Sequence, residues 1–288
     1  MDPVLIQLLV NGIAVGSIIA LAAIGLTLVY GILQLANFAH GDFMTLGAYC
    51  TLGYNALGLG LWVAMGLGIV TTIGAALVTE KVIWQPMRDR RASSTTLIII
   101  SIGLALFLRN GIILLSGASN QAYDIPVAGA LDIGGIRVAY YRILVLGLAL
   151  LALGALHLLL RYTKVGKAMR AVADNIDLAR VTGINVEAVV MWTWVIAAGL
   201  TALSGSLYGL ITAVRPNMGW FLILPLFASV ILGGIGNPYG AIAGAYVIGI
   251  TQELSTYWFP AEYKVGVALL LMVLVLVLRP QGLFRGTM

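Results

Sequence analysis

The chain has 288 residues, 61% hydrophobic and only 9% charged, with a mean hydropathy of +1.03; this excludes a soluble domain of that size and fits a polytopic helical membrane protein. A net charge of +5 would suit a nucleic-acid binder, but the basic residues sit in loops between apolar runs, where anionic lipid is partner enough. The lone cysteine, Cys50, excludes an internal disulfide and a cysteine-based metal site. The two histidines, His40 and His157, fall in different apolar segments, so no metal site is expected.

The first predicted span runs from Val4 to Leu35 almost without charge. As a straight helix it would measure about 48 Å against a bilayer core of about 30 Å, so it tilts or begins at the interface. It lacks a basic leader and is too long for a cleavable signal peptide. The polar run Asn37–Asp42 (NFAHGD) separates it from a second, weaker span at Phe43–Leu57, and a third follows at Leu59–Ile83. The latter ends in Glu80, Lys81, Pro86, Arg88, Arg90 and Arg91, a basic end that belongs inside. Ser93, Ser94, Thr95 and Thr96 open the next apolar helix, Leu97–Leu115, with Ser94 or Thr95 as its cap; it carries Arg109 and Asn110. A polar loop with Asp124, Pro126 and Asp132 leads to a span at Tyr141–Leu160.

Arg161–Glu187 is the longest polar stretch between two spans. Its middle keeps helical order: Met169, Val172, Ile176 and Ala179 recur at three and four residues, while Arg170/Asp174 and Asp177/Arg180 are spaced to pair on the opposite face. Asn175 suits the N-cap of a second short helix that Gly183 ends. One reading is a solvated loop. The other is a docking surface, because a simple connector is short and does not keep helical patterning, caps and small side chains.

Further spans are expected at Ala188–Ala213, Phe221–Leu232, Ala241–Trp258 and Val265–Leu278, for eight or nine in all. The twelve residues of Phe221–Leu232 cover about 18 Å as helix, so either their flanks extend it or the chain breaks within the membrane at Gly233, Gly234, Gly236, Asn237 and Pro238. Eleven basic residues (Lys81, Arg88, Arg90, Arg91, Arg161, Lys164, Lys167, Arg170, Arg180, Arg279 and Arg285) then fall in loops on one side, against Arg137, Arg142, Arg215 and Lys264 on the other. This places the N-terminus outside and the C-terminus in the cytoplasm.

Four segments in order, Val29–Tyr49, Glu80–Arg88, Gly166–Asn185 and Ile231–Gly249, resemble the permease subunits of bacterial ABC importers for branched-chain or neutral amino acids, with STYWFPAEYK and RPQGLF in support. The resemblance covers the chain end to end. It implies one transmembrane permease domain over residues 1–288 with a type II importer fold, like the vitamin B12 and ribose permeases, and a cytoplasmic insert at 163–186. Coupling helices would span Gly166–Gly183, with Gly166, Lys167, Arg170, Ala171, Asp174, Ala179, Arg180 and Gly183 facing an ATPase. The implied partners are a second homologous permease, two cytoplasmic ATPase subunits that bind ATP–Mg, an extracytoplasmic binding protein and membrane lipid, in a bacterial inner membrane. The chain itself has no G-x-x-x-x-G-K-[ST] run, so cofactors in this chain are expected to be none and energy must enter through a contact. Arg109 departs from the neutral polar residue expected at its position.

Alternative roles remain at several positions. Asn37, His40 and Asp42 line a path or gate, or form an inner loop whose Asp42 caps the next helix. Ser93–Thr96 cap a helix or gate its inner end. Arg109 meets a substrate carboxylate, snorkels outward, or pairs with Glu253. The glycines near Asn237 serve close packing and a backbone break, or binding. A urea or amide importer, an ion-coupled carrier and a passive channel are the other classes in view; a carrier needs no docking insert, and a channel of the urea kind needs two half-helix motifs where one is present. No nucleophile–base pair at useful spacing points to an enzyme.

Overall fold

The computed structural model describes residues 2–126, 129–133, 136–279 and 281–284; Pro280 and Arg285 lie outside the described residues, as do the side chains of Asp132 and Arg137. Among the described residues the regular structure is helical apart from one antiparallel hairpin, Ala130–Ile133 (β1) with Ile136–Ala139 (β2), which sits in the stretch expected to be a polar loop.

Helix α1 (Pro3–Leu33) is the mast of the bundle. Asp2 caps it by accepting from the Val4 N–H, and Pro3 takes the first helical position, where its missing N–H costs nothing. The helix is apolar all round and buried along almost its whole length from Ala14 to Val29, as a core helix must be. Its glycines set the spacing to α11 (Pro238–Ser255): a Cβ on Gly12 would lie 2.7 Å from the Ile250 Cα, and one on Gly249 would lie 2.5 Å from the Gly16 backbone. On another side α9 (Val186–Ile211) runs antiparallel to it, with the Ser204 hydroxyl donating to the Ile18 carbonyl at 2.7 Å.

At Leu33 the chain turns through Gln34, a non-glycine residue at φ 50°, and doubles back. His40 reaches the Ala22 carbonyl at 2.9 Å. Ala22 precedes Leu33 by eleven residues, so the return climbs about 16 Å beside α1. Helix α2 (His40–Ala56) therefore starts inside the bundle, and Asn37, His40 and Asp42 are all buried. Of the two alternatives for this segment, the inner loop is corrected: His40 and Asp42 are buried and find partners within the protein. Ala39 is the N-cap and Asp42 the third helical residue, so the cap by Asp42 that went with that alternative is corrected too.

The third apolar helix extends beyond its expected end. α3 (Leu61–Thr79) passes through a π-helical turn, Glu80–Trp84, into α4 (Gln85–Asp89). After α5 (Ser94–Ser116), the hairpin and α6 (Tyr140–Tyr162) come α7 (Lys164–Asp174) and α8 (Ile176–Val181), then α9. α10 (Met218–Gly233) has 16 residues; its flank adds a turn to the expected run, Pro225 is accommodated inside it, and it stops at Gly234 and Gly236, both at positive φ. The Asn237 side chain accepts from the N–H groups of Tyr239 and Gly240 to start α11, and a 3₁₀ turn leads into α12 (Lys264–Leu278). Among the described residues six helices are long and apolar enough to cross a membrane: α1, the continuous Leu61–Asp89, α5, α6, α9 and Ala261–Leu278. The other three, α2, α10 and α11, are shorter or less apolar, and α2 and α10 begin against each other in the interior.

Candidate functional site

The α7–α8 pair folds back under the bundle on an apolar face. The Thr163 hydroxyl caps α7 through the Gly166 N–H at 3.0 Å. A Cβ on Gly166 would fall 2.4 Å from the carbonyls of Leu159 and Leu160, so only glycine permits the sharp turn from α6. Met169, Val172 and Ala179 are buried in the cluster that includes Leu156, Leu160, Val186 and Val190. Asn175 caps α8 by accepting from the Leu178 N–H at 2.9 Å, and Gly183 ends it at φ 87°.

The free face carries Lys167, Arg170, Asp174, Asp177, Arg180 and Gly183, with Ala171 half-buried at its edge. Three expectations are corrected. Gly166 and Ala179 belong to the anchored face rather than the docking face, because close approach to the bundle is what their small size serves. Ile176 turns outward at 39% exposure. Among the described residues no ion pair joins Arg170 to Asp174 or Asp177 to Arg180; both pairs remain solvated. Sequence reasoning missed Leu178 and Val181, which are 60% and 80% exposed beside the free cations. Their signal was present: α8 is apolar at positions that the anchored stripe does not use. An apolar patch rimmed by charge marks an interaction surface.

Above this pair lies a cavity of about 900 Å³, bounded by the end of α1, the π turn, α7–α8 and the start of α9; Gln34, Glu80, Arg88, Asp174, Arg180 and Glu187 are among its walls. Its organiser is Glu80, which is 2% exposed, paired with Arg88 and accepting from the Trp194 indole at 2.6 Å. Trp84 stacks on Trp194 with ring centroids 6.4 Å apart. Sequence reading found the basic residues here but not this cluster, since a π turn has no local residue signature.

Helix α5 presents a different surface. Ser93, not Ser94 or Thr95, is its cap, accepting from the Thr96 N–H at 3.2 Å, which corrects the expected assignment. Ser94, Thr95 and Thr96 are exposed, and the same side of the helix continues through Ile99, Gly103, Phe107 and Asn110. Asn110 turns its amide onto the Leu106 carbonyl of its own helix at 2.8 Å. The opposite side is held to the start of α2: the Phe38 N–H donates to Ser101 at 3.2 Å, and Arg109 forms a two-point pair with Asp42, 3.2 Å at both contacts. The Arg109 guanidinium also lies 4.5 Å above the Trp220 ring. Of the alternatives for Arg109, pairing with Glu253 is thus corrected: Glu253 pairs with Lys264 at 2.6 Å. His40 shares its Nε2 between the Ala22 carbonyl and the Thr201 hydroxyl, both at 2.9 Å, while the buried Asn37 amide nitrogen finds no partner among the described residues. At the far break, Gly233 and Gly240 cross with no room for a Cβ on either, and the Gly236 N–H donates to Thr27 at 3.2 Å.

Residues 8–276 match the family described as branched-chain amino acid transport system / permease component. The chain belongs to this family. It is 31% identical to the high-affinity branched-chain amino acid transport system permease protein BraD of Pseudomonas aeruginosa, over 96% of this chain and 95% of that one. It is 32% identical to the permease protein LivH of the corresponding system in Escherichia coli, over 96% and 94%. The permease protein LivM of Salmonella typhimurium matches at 26% identity, over 92% of this chain and 67% of that one. In fold it is similar to PsaBC from Streptococcus pneumoniae, solved in complex with Fab, with a TM-score of 0.55 at 15% identity over 94% of this chain and 91% of that one. The chain is accordingly a transport permease rather than an enzyme, a multi-pass protein of the bacterial inner membrane.

Proposed function

We propose that this permease is the transmembrane subunit of an ATP-driven ABC importer that moves branched-chain or other neutral amino acids inward by alternating access. The observation that carries the reading is the α7–α8 pair: a helix pair anchored by Met169, Val172 and Ala179, whose free face offers Lys167, Arg170, Arg180, Leu178 and Val181 to a partner. A chain without a phosphate-cradling loop needs such a contact to receive work from ATP. The coupling residues are then Lys167, Arg170, Ala171, Asp174, Arg180 and Gly183, with Gly166 and Ala179 seating the pair.

In this reading residues 1–288 form one permease domain with nine apolar segments, 163–186 being its cytoplasmic insert. The N-terminus is outside and the C-terminus inside. That orientation is supported by the clustering of Lys81, Arg88 and Arg180 around one cavity at one end of the bundle, while toward the other Tyr257 pairs with Asp2 and Arg142 with Asn11. The exposed side of α5, with Thr95, Thr96 and Asn110, faces the path at the contact with a second, homologous permease, for which a polar side chain within the membrane needs water or a partner. Ser93, Ser94, Thr95 and Thr96 form its inner gate, and the segment that holds Asn37, His40 and Asp42 braces the rest of α5 from behind, through Phe38 on Ser101 and Asp42 on Arg109. Gly233, Gly234, Gly236, Asn237 and Pro238 form the structural break between α10 and α11. Two ATPase subunits carry ATP–Mg and an extracytoplasmic protein delivers the amino acid, so the permease needs no deep charged pocket.

The test is uptake of radiolabelled leucine by vesicles holding the purified complex. Uptake requires ATP and the delivery protein and persists when ion gradients are collapsed. Arg170→Glu and Gly183→Pro, the latter placing proline where φ is +87°, abolish uptake while the chain still inserts. Uptake by this chain alone, or uptake driven by an ion gradient without ATP, overturns the proposal.

A further inference from the structure

The pair between Arg109 and Asp42 stands where three helices meet. Asp42 is in the first turn of α2, Arg109 in the C-terminal half of α5, and Trp220 in the first turn of α10. The two helix starts touch through glycine: a Cβ on Gly41 would lie 2.3 Å from the Gly219 carbonyl oxygen. Each start brings the positive end of a helix dipole, equivalent to about half an elementary charge, to the same place. A lone guanidinium would be repelled there, and Asp42 supplies the compensating charge.

The guanidinium has little left to offer a ligand. Its Nε and one Nη are committed to the two oxygens of Asp42, its face is covered by the Trp220 ring, and its side chain is only 14% exposed. Its attachments are what distinguish it. Among the described residues α5 packs substantially on α2 and on no other helix to a comparable extent, and Arg109 makes its only ion pair. Toward the other end of α5, Ser101 holds the Phe38 N–H, and beyond it the first turn, Ser94–Thr96, is exposed.

We infer that Arg109 is a positioning residue: paired with Asp42 and stacked on Trp220, it fastens the C-terminal half of α5 to the junction of α2 and α10 and leaves the opposite end of α5 as the part that moves. The inference rests on the proposed placement of α5 at the path. It assigns α5 a fixed end and a free end, and the hydroxyls of Ser93–Thr96 are on the free one. Arg is required because one flat group must fork onto a carboxylate and stack on an indole together, which an ammonium cannot do. Loss of either partner strands the other as an uncompensated charge between helices, whereas loss of both does not.

The experiment compares wild type, Arg109→Met, Asp42→Asn, the double variant and Arg109→Lys in the assembled complex, reading leucine uptake and heat stability. The expected result is a maximum rate at least tenfold lower in each single variant, with the apparent KM for leucine-loaded delivery protein within twofold of wild type. The double variant recovers to within about threefold of wild type, and Arg109→Lys falls between. A double variant no faster than the slower single overturns the inference, because the two charges then do not act on each other. A KM raised tenfold in Arg109→Met alone also overturns it, by making Arg109 a substrate ligand. Wild-type vesicles that fail to import leucine refute the importer reading instead, and heat stability then decides the pair: lowered in both singles and regained in the double upholds it, unchanged in the singles refutes it.

Discussion

Gly219→Ala measures how tightly the starts of α2 and α10 are joined. The added Cβ would lie 1.8 Å from the Gly41 carbonyl oxygen, 2.3 Å from its carbon and 2.6 Å from the Thr45 hydroxyl. The first two obstacles are backbone, which cannot rotate away, so α10 must retreat by about 1.5 Å to reach ordinary contact. Overpacking of this kind costs about 1–3 kcal/mol. The retreat also breaks the hydrogen bond from the Gly219 N–H to Thr45, now 3.0 Å, for about 1 kcal/mol more. Against this, alanine gains up to about 1 kcal/mol over glycine in a helix. The net is a loss of roughly 1–3 kcal/mol, read as a drop of several degrees in the midpoint of heat unfolding of the detergent-solubilised chain. Gly66→Ala is the control: nothing lies within 4 Å of its added Cβ, so only the helix-propensity gain applies and the midpoint stays or rises. Equal midpoints for Gly219→Ala and Gly66→Ala would refute the reasoning, since they would mean that the two helix starts are not in backbone contact.

Glu80→Ala removes the acceptor of the buried Trp194 indole and the partner of Arg88, leaving one orphaned donor inside the protein. An orphaned donor costs about 1–3 kcal/mol, and Arg88, at 30% exposure, recovers water for little; a lowered unfolding midpoint with a shifted tryptophan emission is the expected readout, and unchanged emission would count against the Glu80–Trp194 contact. Asn237→Ala deprives α11 of its cap and costs about 1 kcal/mol, while Asn237→Asp retains the acceptor and the stability; protease accessibility of the α10–α11 turn separates the two.

The long apolar helices were legible because a bilayer imposes both length and composition on a spanning helix. The pair α7–α8 was legible for a second reason: its caps at Asn175 and Gly183 and its stripe at Met169 and Val172 are local features. The return at Gln34–Ala39 was not, because a polar run flanked by apolar ones looks the same whether it faces water or is satisfied by the interior. One sign was available. Asn37–Asp42 was assigned to the cytoplasmic side yet holds no basic residue, unlike the loop at Lys81–Arg91. Arg109 shows the same limit from the other direction. An arginine within an apolar helix requires an acid, and sequence reasoning named Glu253; the doubling back of the chain, which carries Asp42 into the bundle, supplies Asp42 instead.

That doubling back also explains how so apolar a chain tolerates its buried polar residues. His40, Thr201, Ser204 and Thr45 each take part in a hydrogen bond with a neighbouring helix, and the Thr201 and Thr45 hydroxyls also donate to carbonyls of their own helices. Such bonds between helices, together with glycine contacts at Gly41–Gly219, Gly12–Ile250 and Gly233–Gly240, substitute for the hydrophobic drive that lipid removes. They concentrate on α1, α2, α9, α10 and α11, which form the buried body. Few residues of helices α5, α6 and α12 are buried. In the proposed importer such a body would be the stiff centre, and motion delivered at α7–α8 would have the π turn at Glu80 on one side and the lightly held α5 on the other as its outlets. Direct evidence would be a cysteine at Thr96 whose labelling rate changes with nucleotide while one at a position beside Arg109 keeps a constant rate; equal changes at both would mean that α5 moves as a whole and that the body is not its anchor.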